Sequence, residues 1–287
     1  MNSLRFIKME GCRNDYIFLD GGLGSGAMRL PENAPFADWS RTMSDRHRGV
    51  GGDGLILLLP GNIHPVRMRM WNADGSEGRL CLNGLRCAAK YTAEETPAGD
   101  RFVVETISGD RPVRVFRDAS GRVQEVEVLV GIPDFRRQAL PATGMDPELW
   151  GELLPVAGRS LPGYAVSVGN PHLVFPIEEK VEDFPLDALR PWSRDARFPE
   201  GMNVHVFSQE AKGELAMRSW ERGTGPTLAC GSGAVAVFAV ARRLGVVRAA
   251  GDVRMPGGTV TLREGERGTL ILRGPAHEVF RGEYRLE

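Results

Sequence analysis

The stretch TLACGSGAVAVFAVARRLG (227–245) places Cys230 directly before Gly231-Ser232-Gly233 and then runs into Ala and Val until Gly245. A helix that is apolar on every face is a buried one. The stretch therefore predicts a central helix from about Gly231 to Leu244 whose N-terminus is buried as well. LCLNGLRCAAKY (80–91) repeats the arrangement, with Cys81 ahead of Leu82-Asn83-Gly84, and predicts a second helix from about Asn83 to Glu95.

The two cysteine sites lie about half the chain apart, and their surroundings match. Polar, Gly-containing segments precede both, NADGSEGRL (72–80) and ERGTGPTLA (221–229). Farther upstream, GCRNDYIFLD (11–20) and VGNPHLVFPI (168–177) each put an Asn at the start of an apolar run. These coincidences indicate a tandem duplication. Most of the remaining chain reads as short strands rich in Val, Ile and Phe, bounded by Gly, Pro, Asn or Asp. Examples are GLILLLP (54–60), VQEVEVLVG (123–131), AVSVGNPHLVF (165–175), DVRMPGGTVTLRE (252–264) and GTLILRG (268–274). One further helix is expected near DPELWGELL (146–154). The expected fold is α+β, with two pseudo-symmetric β-rich domains, each a curved sheet or barrel around one buried helix. The boundary falls at VGIPDF (130–135), where Gly131 and Pro133 interrupt the strand pattern. This gives an N-terminal half over 1–130, joined by the tail at about 276–287, and a C-terminal half over 131–275.

Composition excludes some functions. With 36 Lys+Arg against 37 Asp+Glu, the net charge is -1 and no basic stripe marks a nucleic-acid surface. The apolar runs LILLL and AVAVFAVA fall far short of the roughly 18 residues that span a bilayer. The start MNSLRFIKMEG lacks a signal-like apolar core, so a cytoplasmic protein is expected, its four cysteines kept as thiols.

A buried helix N-terminus leaves backbone N–H groups without partners and carries partial positive charge, so something anionic should sit there. A cysteine so placed is expected to have its pKa lowered from about 8.5 into the range of roughly 3.5–7.5. Glycines 84, 231 and 233 are expected to let a ligand approach the backbone. Cys12 and Cys87 lack the following glycine turn and read as small buried hydrophobes. The five histidines show no metal-ligand spacing and no Cys-x-x-Cys pair exists, so no metal is expected. GVGGDG (49–54) precedes a strand instead of following one, and GLGSGA (22–27) runs into Pro31; both read as turns rather than nucleotide loops. No lysine sits in a context suited to pyridoxal phosphate. Two thiols on opposite sides of one cleft suit inversion of a carbon acid, one thiolate removing the α-proton and the other thiol protonating the opposite face, with no cofactor.

The ordered motifs MEGCRNDYIFLD, DRHRGVGGDGLILL, NADGSEGRLCLNGLRC, VGNPH, MNVHV and ERGTGPTLACGSGA resemble the diaminopimelate epimerase family along nearly the whole chain. The resemblance implies cofactor-independent interconversion of LL- and meso-2,6-diaminopimelate in lysine and peptidoglycan precursor synthesis, and a homodimer. It implies Cys81 as proton donor and Cys230 as acceptor for the LL substrate. It also implies Leu82, Asn83, Gly231 and Ser232 at the reacting carboxylate, and Asn14, Asn72, Asn170, Asn203, Glu221 and Arg222 on the rest of the substrate. His172 and Glu221 match positions that tune the thiols. Three positions depart from the family pattern: Glu10 replaces a common His, Gly54 a Gln found in many members, and Leu82 the Gly that normally follows the first cysteine. Two rival readings remain open, a cofactor-independent racemase for another amino acid and a non-catalytic amino-acid-binding protein.

Overall fold

The computed structural model describes residues 3–24, 27–31, 33–144 and 146–286, which form two compact units, 1–129 with 273–287 and 130–272. In the first, strand Ser3–Gly11 pairs antiparallel with Asn14–Asp20, which runs parallel to Gly54–Leu59. Gly54–Leu59 pairs antiparallel with Val66–Asn72, and this strand runs parallel to Arg101–Glu105. Arg111–Arg117 and Val123–Gly131 follow as antiparallel neighbours, and His277–Arg285 returns to pair with Ser3–Gly11. The second unit repeats the scheme. Arg159–Ser167 pairs antiparallel with Pro171–Pro176, which lies parallel to Asn203–Ala211. Asn203–Ala211 pairs antiparallel with Glu214–Glu221, and this strand lies parallel to Ala250–Met255.

Each unit is built on one buried helix, reached through a short hairpin: Glu77–Gly78 leads into α2 (Leu82–Glu95) and Gly225–Thr227 into α3 (Gly231–Arg243). α1 (Phe36–Ser44) lies outside this core helix. The central strands are buried on both faces, which is why their sequences are continuously apolar rather than alternating. Ile17, Leu19, Leu55 and Leu57 pack on one face with Phe36 and Met43 of α1 and with Trp71. Ile56 takes the other face: a Cβ on Gly84 of α2 would lie 2.4 Å from its Cδ1. In the second unit a Cβ on Gly233 would meet His205 Cε1 at 2.5 Å. Glycines 84 and 233 are thus required by the fold's own packing, a reason that the sequence did not suggest.

Other expectations need correction. DPELWGELL does not form a helix. Trp150–Val156 is a strand paired with Arg159–Ser167 through the turn Ala157-Gly158, where φ is 54° and 75°. AVSVGNPHLVF and DVRMPGGTVTLRE are each two strands joined by a turn. α1 and the strands Ser3–Gly11 and His277–Arg285 were not anticipated. Among the described residues no helix is long and apolar enough to cross a membrane.

Gly84→Ala should destabilise the protein by about 1–3 kcal/mol through overpacking. Ile56→Val, which removes the clashing Cδ1, should recover part of that loss in the double variant. Denaturant unfolding of the four proteins measures the coupling, and simple additivity would mean that the contact does not limit this site.

Candidate active site

Cys81 and Cys230 occupy the same structural position. Each is the N-cap of its helix, with extended backbone angles (φ -129°, ψ 117° and φ -122°, ψ 102°). Each sulfur accepts a hydrogen bond from the amide three residues on, Gly84 N and Gly233 N, at 3.4 Å. A side-chain oxygen normally fills this role. With sulfur in its place the helix terminus polarises a reactive atom.

In the first unit the hairpin loop Cys12-Arg13 is left-handed at both residues (φ 56° and 62°), a strained pair stabilised where Arg13 N–H donates to Glu10 Oε2 at 2.6 Å. It delivers Asn14 to the helix terminus. Asn14 Oδ1 accepts from Cys81 Sγ at 3.4 Å and from Asn83 Nδ2 at 3.1 Å, while its Nδ2 donates to Asp53 Oδ2 at 2.6 Å. Behind this lie Arg46, which bridges Asp15 and Asp53, and Lys8, 2.6 Å from Asp15. Burial and then the Asp15 charge push Asp53 above its ordinary pKa. Burial also pushes Asp15 up, but hydrogen bonds from Arg46 and Lys8 outweigh it and leave Asp15 low. Reading GVGGDG as a turn passed over Asp53. Its signal was an acidic residue at the mouth of a fully apolar strand.

In the second unit Asn170 is the counterpart of Asn14. Its Nδ2 donates to Ser232 Oγ at 3.4 Å, and Ser232 Oγ lies 3.7 Å from Cys230 Sγ. Asn170 Oδ1 faces His172 Nε2 at 2.9 Å, and His172 Nδ1 faces His205 Nε2 at 2.9 Å. Glu221 accepts from Thr227 Oγ1 at 2.6 Å and from the Cys230 thiol. Asn203 accepts from Arg222 N–H at 3.0 Å and donates to Pro171 O at 3.1 Å, which fixes the base of the exposed Arg222; the guanidinium donates to Glu200 O at 2.6 Å.

The lowered thiol pKa expected from the helix terminus is not found at Cys230. Burial, and then the Glu221 charge, push this thiol well above its ordinary value, outweighing the hydrogen bonds from Ser232 and Gly233 that pull it down. The resting group is therefore a protonated thiol. Burial pushes Cys87 up to about 12 and also raises Cys12, which accepts from the buried Arg86. Leu82 lies in the first turn of α2 and is buried. Asn72 is exposed in a turn with Ser76 and joins neither cysteine network. Of GLGSGA, Gly22, Leu23 and Gly24 turn around the Asp20 carboxylate through their amides, and Ser25 and Gly26 lie outside the described residues.

Comparison with known proteins agrees along the chain. Residues 6–134 and 164–279 match the family described as Diaminopimelate epimerase. A diaminopimelate epimerase of Geobacillus thermodenitrificans is 41% identical, covering 99% of this chain and 97% of the relative. That of Bacillus subtilis is 39% identical and covers 100% of both. Among solved structures, a phenazine biosynthesis protein of the PhzF family from Bacillus anthracis shares the fold at a TM-score of 0.68 and 15% identity, over 100% of both chains.

Iodoacetamide labelling of Cys230, followed by peptide mass mapping, should rise with pH without a plateau up to the ordinary thiol value of 9.0. Glu221→Gln removes the charge that opposes the thiolate, so Cys230 should then label faster at neutral pH. Equal rates in the two proteins would show that Glu221 does not act on this sulfur.

Proposed function

The chain belongs to the diaminopimelate epimerase family, and on that premise we propose that it interconverts LL- and meso-2,6-diaminopimelate without a cofactor, with Cys81 and Cys230 as the acid–base pair. The observation that carries this reading is that sulfur caps both buried helices. In the LL direction Cys230 as thiolate takes the α-proton while the Cys81 thiol gives one to the opposite face of the carbon; in the reverse direction they exchange roles. The helix-terminal groups of Leu82, Asn83, Gly231 and Ser232 hold the reacting carboxylate, where donors stabilise the charge that builds up as the carbanion forms.

Glu221 links binding to chemistry. The charge of its carboxylate raises the Cys230 thiol. A substrate ammonium against Glu221 neutralises that charge, so the thiol ionises more readily when substrate is present. Asn14, Asn72, Asn170, Asn203 and Arg222 bind the remaining polar groups, with Arg222 suited to fork onto a carboxylate. His172 holds Asn170 in place. The same reading makes the protein a cytoplasmic homodimer.

Cys81→Ala and Cys230→Ala should each lower interconversion by at least about 10²-fold while the fold is retained, because a two-base inversion has no spare proton carrier. Deuterium incorporation at the α-carbon from heavy water, measured by mass spectrometry across LL-diaminopimelate, histidine, lysine, glutamate and proline, tests both mechanism and substrate. Faster exchange on any of the last four would overturn the substrate and leave the thiol chemistry standing. Leu82→Gly should leave the rate equal or higher, since the buried side chain adds no polar group.

A further inference from the structure

Behind Cys230 lies a column of buried polar groups that the acid–base pair does not itself use. His205 and Ser219 stand directly opposite each other on antiparallel strands, and Ser219 Oγ is 2.8 Å from His205 Nδ1. His205 Nε2 meets His172 Nδ1, and His172 Nε2 meets Asn170 Oδ1, each at 2.9 Å. Both imidazoles are 0% exposed, so solvent cannot relieve a mismatched donor or acceptor. Both are also neutral: burial pushes His205 down to about 3, and burial with the nearby His205 and Arg222 pushes His172 well below its ordinary value.

A neutral imidazole has one donor and one acceptor nitrogen, so the column has a direction. Asn170 Oδ1 can only accept, which puts the hydrogen of His172 on Nε2 and leaves Nδ1 bare. His205 must then donate from Nε2, and its own bare Nδ1 accepts from the Ser219 hydroxyl. At the other end Asn170 Nδ2 donates to Ser232 Oγ, so the Ser232 hydrogen is free to point at Cys230 Sγ.

The duplicated unit shows that the fold does not need this column. At the place of His205, under the glycine of the first helical turn, it has Ile56, and opposite Ile56 stands Met70. Hydrocarbon fills the same position, whereas the polar groups of the second unit must be hydrogen-bonded throughout to be buried at all.

We propose that Ser219 and His205 are positioning residues for Cys230: the Ser219 hydroxyl satisfies His205 Nδ1 and His205 Nε2–H satisfies the bare Nδ1 of His172, so the tautomer that Asn170 Oδ1 selects is hydrogen-bonded at both nitrogens and the Asn170 carboxamide stays turned to leave the Ser232 hydroxyl donating to the sulfur. The assignment rests on the reading of Cys230 as one of the acid–base pair. Long-range ¹H–¹⁵N correlation spectra of the imidazoles, recorded on the full-length protein, should show His172 and His205 each as the single Nε2–H tautomer. Ser219→Ala should give mixed tautomers at both rings, lower kcat by about tenfold, the size of one hydrogen bond, and slow iodoacetamide labelling of Cys230. Ser219→Thr keeps the hydroxyl and should restore all three. His205→Ile, the residue that the other unit carries, should leave His172 in mixed tautomers and slow the labelling in the same way. Nδ1–H on either ring of the unaltered protein would overturn the proposal, as would Ser219→Ala with unchanged tautomers or an unchanged labelling rate. The spectra and the labelling need no substrate, so an absence of activity on diaminopimelate would count against the functional reading and not against this one.

Discussion

Two helices buried along almost their whole length cannot leave their first-turn amides bare, and this constraint organises each unit. Burial of the terminus requires a cap, and the cap must come from the residue that joins the hairpin to the helix. In both units that residue is a cysteine, whose sulfur accepts at 3.4 Å from the third amide of the helix. A glycine at that third position is forced in turn, because a strand side chain packs directly against the first turn. The Cys-x-x-Gly spacing is thus a packing solution that also leaves a polarisable, ionisable atom where the helix dipole is strongest.

Given the same frame, the two units surround their sulfurs differently. Behind Cys81 the support is charged: Asn14 is oriented by Asp53, and Asp53 is tied through Arg46 to Asp15 and Lys8. Behind Asn170 it is neutral, a histidine pair ending on a serine, and the charge that acts on Cys230 comes instead from Glu221. Duplicated backbones tolerate such divergence because an asparagine links each support to its cysteine, Asn14 directly and Asn170 through Ser232, and its carboxamide can be oriented equally well by a carboxylate or by an imidazole. The buried Arg86 plays a different part. It donates to Pro275 O at 3.0 Å and to Leu82 O at 3.4 Å, tying the chain's C-terminal return to the core helix of the first unit.

How much of this was legible in the sequence depends on whether burial left a pattern. α2 and α3 were readable because small and apolar residues follow a capping signature, and Gly54–Leu59 because its run is unbroken. The strand His277–Arg285 was invisible, since nearly every residue in it is exposed and it is held by pairing with Ser3–Gly11 rather than by an apolar face. DPELWGELL misled because Leu, Glu and Trp suit a helix, while the short turn at Ala157-Gly158 closes a hairpin that buries Leu154 and Val156. The cysteines were legible by their repetition. His205 left a fainter signal, a histidine in a strand otherwise bound for the interior, and without a metal spacing to explain it the residue was passed over. Asp53 was hidden by a glycine-rich turn.

The sign of the Cys230 shift bears most directly on the chemistry. A helix terminus alone would favour the thiolate, but the terminus is effective only because it is buried, and the same burial penalises the charged form. Here desolvation and Glu221 win over two hydrogen bonds, so the resting sulfur keeps its proton. That balance suits the proposed role of Cys230 as a base on a weakly acidic carbon–hydrogen bond. A thiolate stabilised enough to persist in the empty site would be a poorer acceptor, because proton-transfer efficiency falls as the base weakens. On the proposed mechanism, holding the sulfur neutral until a cationic group meets Glu221 keeps its basicity available and confines the ionised form to the substrate-bound site.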